Sequence, residues 1–414
     1  MSIDDTDVRE TPPKETDVLE SALAICRDGG LSALTFRSLA SGAKISAATL
    51  QSRFKKKEKI LDWVVAAAID EDIAYMTELT ALLPAELTRD NAIRFFTNTV
   101  RTRANSRTPQ TTLILEIIIA GTREPGVRPH LRRWLDCVRR LWARVFRTED
   151  RAEELGQFLA EFQVGLELTT ICSHRPLEAN LANDALIARA IAGDAGGFEW
   201  YCTLLDQATA ADDDLPSAPP QKSEIFERLL VAGAQIVAGD GAAALTFRTL
   251  ATRADVSLSA ITHYFPKRSN LIYSIYHRIY EEVTTDRLFD VSTLPLPPEE
   301  GVRDYVDMIL RPRFGGVCQP IAHAELYLLA ARDPSLADLA WHLRMTRGAY
   351  WIRNMLVGID PFSKTGFAAH TEAIWLLGCS LVNMAALDQD KLLETFRERV
   401  AFGVAKLNRR RPEP

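Results

Sequence analysis

A chain of 414 residues with 47% hydrophobic and 25% charged residues has ordinary globular composition, enough for two or three domains that each bury a core. Its formal net charge of −6 does not exclude a polyanionic partner, because the local field outweighs the total. The apolar segments, such as 113–120, fall far short of the ~20 residues of a membrane span, and six scattered cysteines without a CxxC pair read as reduced thiols.

The polar stretch from Met1 to Asp17 has no apolar run, so neither a signal peptide nor a membrane partner is expected, and the cytoplasm is the expected location. Residues 1–16 read as a disordered tail. Almost everything after them reads as helix, with no alternating strand pattern. A first helix spans Glu20 to Arg27 and is ended by Gly29 and Gly30. Thr35 caps a short helix with Phe36, Leu39 and Ala40 inward, and Ser46 caps a second one carrying Ala47, Leu50 and Phe54 on one face. A long helix follows from about Lys57 to Leu79. Its ~1.5 Å rise per residue carries the chain about 35 Å away. Further long helices make up the body of each half.

The segment from Ile25 to Lys56 then returns at a shift of 211 positions (Leu34 to Leu245). Gly30 meets Gly241, Thr35-Phe36-Arg37 meets Thr246-Phe247-Arg248, Ser46 meets Ser257, and Phe54 meets Phe265. No gap is needed over about forty residues, which marks an internal repeat. The bodies match at a shift of 209 (Glu116 to Glu325): Arg123-Glu124-Pro125 meets Arg332-Asp333-Pro334, and Trp142 meets Trp351. Between the copies, 207–222 contains Asp212-Asp213-Asp214, Pro216, Pro219 and Pro220, the composition of an extended linker. The expected organisation is therefore 17–61 and 223–272 as two small helical heads, with 62–206 and 273–409 as their bodies. A loop from Leu294 to Pro298 divides the second half.

Each head fits a helix-turn-helix: a short apolar-faced helix, a tight turn, and a second short helix whose outer face is small and polar enough for the major groove. That face carries Ala48, Thr49, Gln51, Ser52 and Arg53 in the first head, and Ser259, Ala260, Thr262, His263 and Tyr264 in the second. Lys55-Lys56-Lys57 and Pro266-Lys267-Arg268 follow at the start of the next helix. Cations at a helix N-terminus oppose the macrodipole by about 0.3–1 kcal/mol each. A phosphate bound there reverses the sign. Thr35, Arg37, Ser46, Thr246, Arg248 and Ser257 complete the expected DNA-contacting set.

These residues resemble the TetR family of bacterial transcriptional regulators. The resemblance rests on Thr246 to Ser257, then Thr262-His263-Tyr264-Phe265, Arg268 and Leu271, and in the first copy on Thr35 to Ser46, then Gln51-Ser52-Arg53-Phe54, Lys57 and Ile60. It covers about forty residues per half. The family's turn glycine is Lys44 in one copy and Asp255 in the other, and its tyrosine survives only as Tyr264. A distorted first turn is expected, since lysine tolerates positive φ poorly. The resemblance implies an all-α fold of two tandem TetR-like units, each with a helix-turn-helix head and a helical ligand and dimerisation bundle. It implies a repressor of double-stranded DNA released by a small, largely apolar effector. Because one chain carries both copies, an intrachain pseudo-dimer reading an asymmetric operator is expected. Two chains associating to give four heads is a further arrangement that the sequence leaves open.

Glu116, Trp142, Glu325, Tyr327 and Trp351 are the candidate effector contacts. For the two glutamates an interhelical salt bridge to Arg123, Arg144, Arg332 or Arg353 is the plainer expectation. The seven histidines show no metal-ligand spacing, and no cofactor is expected. There is no nucleophile elbow, P-loop or dinucleotide glycine pattern, so an enzyme is not expected. The rival reading is a helical interaction or ligand-binding module whose heads have lost DNA binding.

Overall fold

A computed structural model describes residues 15–193, 196–210, 223–285, 302–303, 306–307, 309–311, 318–355, 360 and 362–408. Among these residues the fold is all-helical, with eighteen α-helices, short 3-10 turns and no strand. Helices α1 (Glu15–Gly29), α2 (Phe36–Gly42) and α3 (Ala47–Phe54) form a first three-helix unit. From it α4 (Lys57–Ala81) runs to α5 (Arg89–Asn105), α6 (Thr108–Arg123), α7 (Arg128–Val145), α8 (Ala152–Ile171), α9 (Pro176–Ile187) and α10 (Phe198–Ala210). The order then recurs with α11 (Glu224–Asp240), α12 (Phe247–Ala254), α13 (Leu258–Tyr264), α14 (Arg268–Thr285), α15 (Gln319–Arg332), α16 (Ala337–Met355), α17 (Lys364–Ala386) and α18 (Gln389–Asn408). Of the expected linker, 207–210 continue α10, while 211–222 lie outside the described residues, as do the loop from Leu294 to Pro298 and most of the expected tail.

Local sequence explains the short helices. Thr35 accepts from the Ser38 N–H while the Ser38 hydroxyl accepts from the Thr35 N–H, and Thr246 and Thr249 repeat this capping box. Ser46 and Ser257 cap α3 and α13 in turn. Each such cap contributes about 1 kcal/mol to a helix too short to persist alone.

The longer helices are placed by their faces. In α7 the residues Leu131, Trp134, Val138, Leu141, Trp142 and Val145 are buried, the 3-and-4 spacing of an amphipathic helix. By contrast, α8 is buried continuously from Leu155 to Ile171 and α17 from Gly366 to Ala386, so these two lie at the centre. They cross at paired glycines. A Cβ on Gly165 would sit 2.1 Å from the Ile374 carbonyl oxygen, and one on Gly378 would sit 1.9 Å from that of Glu161. The contact is reciprocal, each glycine facing the carbonyl four residues before the other. The two glycines stand 213 positions apart (Gly165 to Gly378).

A second reciprocal contact ties the three-helix units to the bodies. On α6, Glu116 accepts from the Leu31 N–H at 2.7 Å and pairs with Arg332. On α15, Glu325 accepts from the Ala242 N–H at 3.0 Å and pairs with Arg123 at 2.6 Å. Gly30 and Gly241 precede those N–H groups with φ of 81° and 89°, a conformation that favours glycine. A Cβ at Gly30 would also meet the Glu116 carboxylate at 2.6 Å.

Candidate nucleic-acid interface

The residues singled out on the second short helix of each unit lie at the surface. Ala48, Thr49, Gln51, Ser52 and Arg53 are exposed on α3, as are Ser259, Thr262 and His263 on α13. The capping residues Thr35, Ser46, Thr246 and Ser257 are exposed too, with their hydroxyls engaged in the caps. Inward, Leu39, Leu50 and Ile60 hold the first unit together, and Leu250, Ile261 and Leu271 hold the second.

Tyr264 departs from the expected outward position. It is half-buried, its hydroxyl shares a 2.6 Å hydrogen bond with the Ser223 hydroxyl, and its ring lies 5.7 Å from Phe226. Ser223 caps α11. The tyrosine therefore braces α13 against α11, an arrangement set by long-range packing that no local motif encodes.

The turns between the paired helices are alike. The Ile45 N–H reaches the Ala40 carbonyl at 3.0 Å, and the Val256 N–H reaches that of Ala251 at 3.1 Å. Lys44 adopts φ 54° and Asp255 adopts φ 52°. The lysine thus leaves the turn bond intact, at the cost of one residue of helix: α2 has seven residues and α12 eight. An L-residue in this conformation costs on the order of 1 kcal/mol, partly offset because glycine loses more freedom on folding. Lys44→Gly is accordingly expected to raise unfolding stability by about 0.5–1 kcal/mol in urea titrations. Asp255→Gly should give a smaller gain, since aspartate visits this region more readily.

The basic residues are distributed unequally. Arg37, Lys44, Lys55, Lys56, Lys57 and Lys59 of the first unit are exposed, and among the described residues none is in an ion pair. Lys56 stands at the N-cap of α4 without capping it by its side chain, so the first turn's N–H groups have no side-chain cap. Lys55 before it holds φ 58° and ψ −37°, with a 2.6 Å bond from the Lys56 N–H to the Phe54 carbonyl. That is a strained γ-turn, which fans three successive lysines away from the unit's core. Arg53 lies over Phe54 and Trp63, 5.3 and 5.8 Å from their ring centres. In the second unit Arg248 and Lys267 are exposed, but Arg268 is 3.6 Å from Asp333 and Arg253 is 2.6 Å from Asp240.

Of the candidate effector contacts, Glu116 and Glu325 line one cleft, whereas Trp142 and Tyr327 are not part of its lining. Trp142 is fully buried, with its ring 4.6 Å from Phe96 and its Nε1–H donating to Gln163 at 2.8 Å. Tyr327 is likewise core, and the Trp351 side chain lies outside the described residues. Glu116 and Glu325 form the cross-half ion pairs described above, with Arg332 and Arg123 as partners. Arg123 also donates to the Ala238 carbonyl at 2.7 Å, so an arginine of the first half holds two groups of the second.

Missing from the sequence reading is a buried charge network in the first body. Arg103, fully buried on α5, donates at 2.6 Å both to Asp72 on α4 and to Glu167 on α8. Trp134 donates to Asp72 at 2.7 Å, and Gln163 donates to Glu167 at 2.7 Å while accepting from Trp142. Burial disfavours the guanidinium charge, but the two carboxylates outweigh it and raise the Arg103 pKa. Burial also raises that of Glu167, against the pull of Arg103. The network ties four helices together around the rings.

No helix among the described residues is long and apolar enough to cross a membrane. No protein-family model matches the chain, and no curated protein matches it.

Proposed function

We propose that this chain is a sequence-specific DNA-binding transcriptional regulator of the TetR type, in which two tandem units pack as an intrachain pseudo-dimer. Its two unlike heads read an asymmetric operator, and repression is relieved by a small ligand. The observation that carries this reading is the paired occurrence of two capped short helices with a left-handed turn between them, followed by exposed cations at the start of the next helix. Such cations destabilise a free helix end and are accounted for by an anion bound across it. The reciprocal Glu116–Arg332 and Glu325–Arg123 pairs support a two-fold arrangement of the units.

In this reading Thr49, Gln51, Ser52 and Arg53 face base edges from the first head. Thr262 and His263 do so from the second, with Ser259 nearby. Gln51 and Arg53 suit adenine and guanine edges, which present the donor and acceptor pairs these side chains match. Arg37, Lys55, Lys56, Lys57, Arg248, Lys267 and Arg268 anchor phosphates.

The freer cations of the first head make it the stronger source of sequence-independent affinity. Duplex binding is therefore expected to weaken steeply with salt. Lys55→Ala/Lys56→Ala/Lys57→Ala should lower the slope of log K against log salt by about 3, near 0.9 per lost phosphate contact. Fluorescence anisotropy between about 50 and 200 mM salt reads this directly. Selection from random duplex DNA, with each head altered separately, should return two unlike half-sites. A perfect palindrome would count against the asymmetric operator. Salt-independent behaviour, with no duplex bound, would instead favour a protein-interaction module.

A further inference from the structure

A cleft of about 680 Å3 opens between the two three-helix units, with Leu31, Lys57 and Leu61 of the first half facing Asp240, Gly241 and Ala243 of the second. Its apolar lining includes Ile119, Val127 and Leu328, all nearly fully buried. A volume of this size accommodates a small organic molecule.

The polar lining is strongly one-sided. Six carboxylates, Glu58, Asp62, Glu116, Glu124, Asp240 and Glu325, stand against Lys57 and Arg123. Four of the six are engaged: Asp62 lies 3.1 Å from His130, Asp240 pairs with Arg253, and Glu116 and Glu325 hold Arg332 and Arg123. Glu58 and Glu124 are exposed, and among the described residues neither is in an ion pair. Burial raises the Glu116 pKa against the pull of Arg332, and the Glu325 charge raises it further.

The two copies differ at the positions that line it. At the shift of 211 (Leu34 to Leu245), Glu58 corresponds to Ser269 and Asp62 to Tyr273. At the shift of 209 (Glu116 to Glu325), Glu124 corresponds to Asp333, which Arg268 neutralises. Glu58 and Asp62 thus have no acidic counterpart in the second copy, and the counterpart of Glu124 is already paired.

We propose that this cleft binds one organic cation with a hydrophobic body per chain, and that the bound cation acts on both three-helix units through Glu116 and Glu325. The apolar lining buries the body of the ligand, and Glu58 and Glu124 supply the counter-charge at its mouth. A positive group near the brace carboxylates competes with the guanidinium groups of Arg332 and Arg123. Those contacts tie each unit to the opposite half, so binding loosens both together. Only the consequence for DNA rests on the regulator reading, since binding itself does not require it.

The test is isothermal titration of the full chain, without DNA, using tetraphenylphosphonium and the equally shaped anion tetraphenylborate. One phosphonium ion should bind per chain, at least about tenfold more tightly than the borate. Gly126 lines the cleft, and a Cβ there meets nothing within 4 Å. Gly126→Trp should therefore fill the space and weaken phosphonium binding by about tenfold or more, with the thermal midpoint unchanged. Glu58→Gln/Glu124→Gln, confined to exposed side chains, should weaken it by about threefold or more. Equal affinity for the two ions, or unchanged phosphonium affinity in either variant, overturns the proposal. Lost cation binding with intact duplex binding removes this site alone. The reverse outcome removes the regulator reading and leaves the site standing.

Discussion

Arg103→Met is expected to lower unfolding stability by about 3–5 kcal/mol, because it leaves the buried carboxylates of Asp72 and Glu167 without their shared cation. Methionine fills a similar length, so the loss is electrostatic more than steric. The control is repair: Arg103→Met combined with Asp72→Asn and Glu167→Gln should recover most of the deficit, since a buried ionic cluster replaced as a whole is often close to neutral. The pH dependence has a definite sign. Burial already raises the Glu167 pKa above its ordinary value of 4.5, and removing Arg103 strengthens that. A carboxyl group with a raised folded-state pKa contributes stability that is present at low pH and lost as pH rises through that value. The variant's deficit should therefore narrow as pH falls from about 8 to about 5. A deficit that does not vary with pH, in urea titrations of the pair, would mean that lost packing dominates.

Gly378→Ala should have a comparable effect for a purely steric reason. The added methyl would lie 1.9 Å from the Glu161 carbonyl oxygen and 2.7 Å from the Gly165 nitrogen. Both obstacles are backbone in a fully buried helix, so neither can turn aside as a side chain would. Separating α8 from α17 enough to admit the methyl opens the centre of the molecule, and a loss of about 3 kcal/mol or more follows. Gly239→Ala near the end of α11 is the matched control, because a Cβ there meets nothing within 4 Å. That change should be neutral or stabilising by up to about 1 kcal/mol. If Gly378→Ala proves as mild as the control, the close crossing of the two helices is wrong.

The two three-helix units are legible in the chain because their signals are local. Within each copy the capping residues (Thr35 and Ser46, Thr246 and Ser257) and the apolar faces lie within about forty residues, and one fixed shift of 211 positions relates the copies. The α8–α17 crossing gave no comparable signal. Inside a wholly buried helix one aliphatic side chain substitutes for another, so the copies share little there beyond the glycine, at a third shift. The Arg103 network was also hidden, because its members come from four helices with no motif between them. One sign was available. Asp72 falls on the inward face of α4 between Ile69 and Met76, where an unpaired carboxylate is costly. Tyr264 shows the reverse limit, since the motif that located it says nothing of Ser223, 41 residues away.

The meeting of α8 and α17 at Gly165 and Gly378 joins two stretches of a single polymer. Were the same helices carried by separate molecules, their association would weaken on dilution, and a scarce protein would fall apart. Here the partner is always tethered, so the central core forms at any abundance. Each half is also free to accumulate its own substitutions without a matching change opposite it.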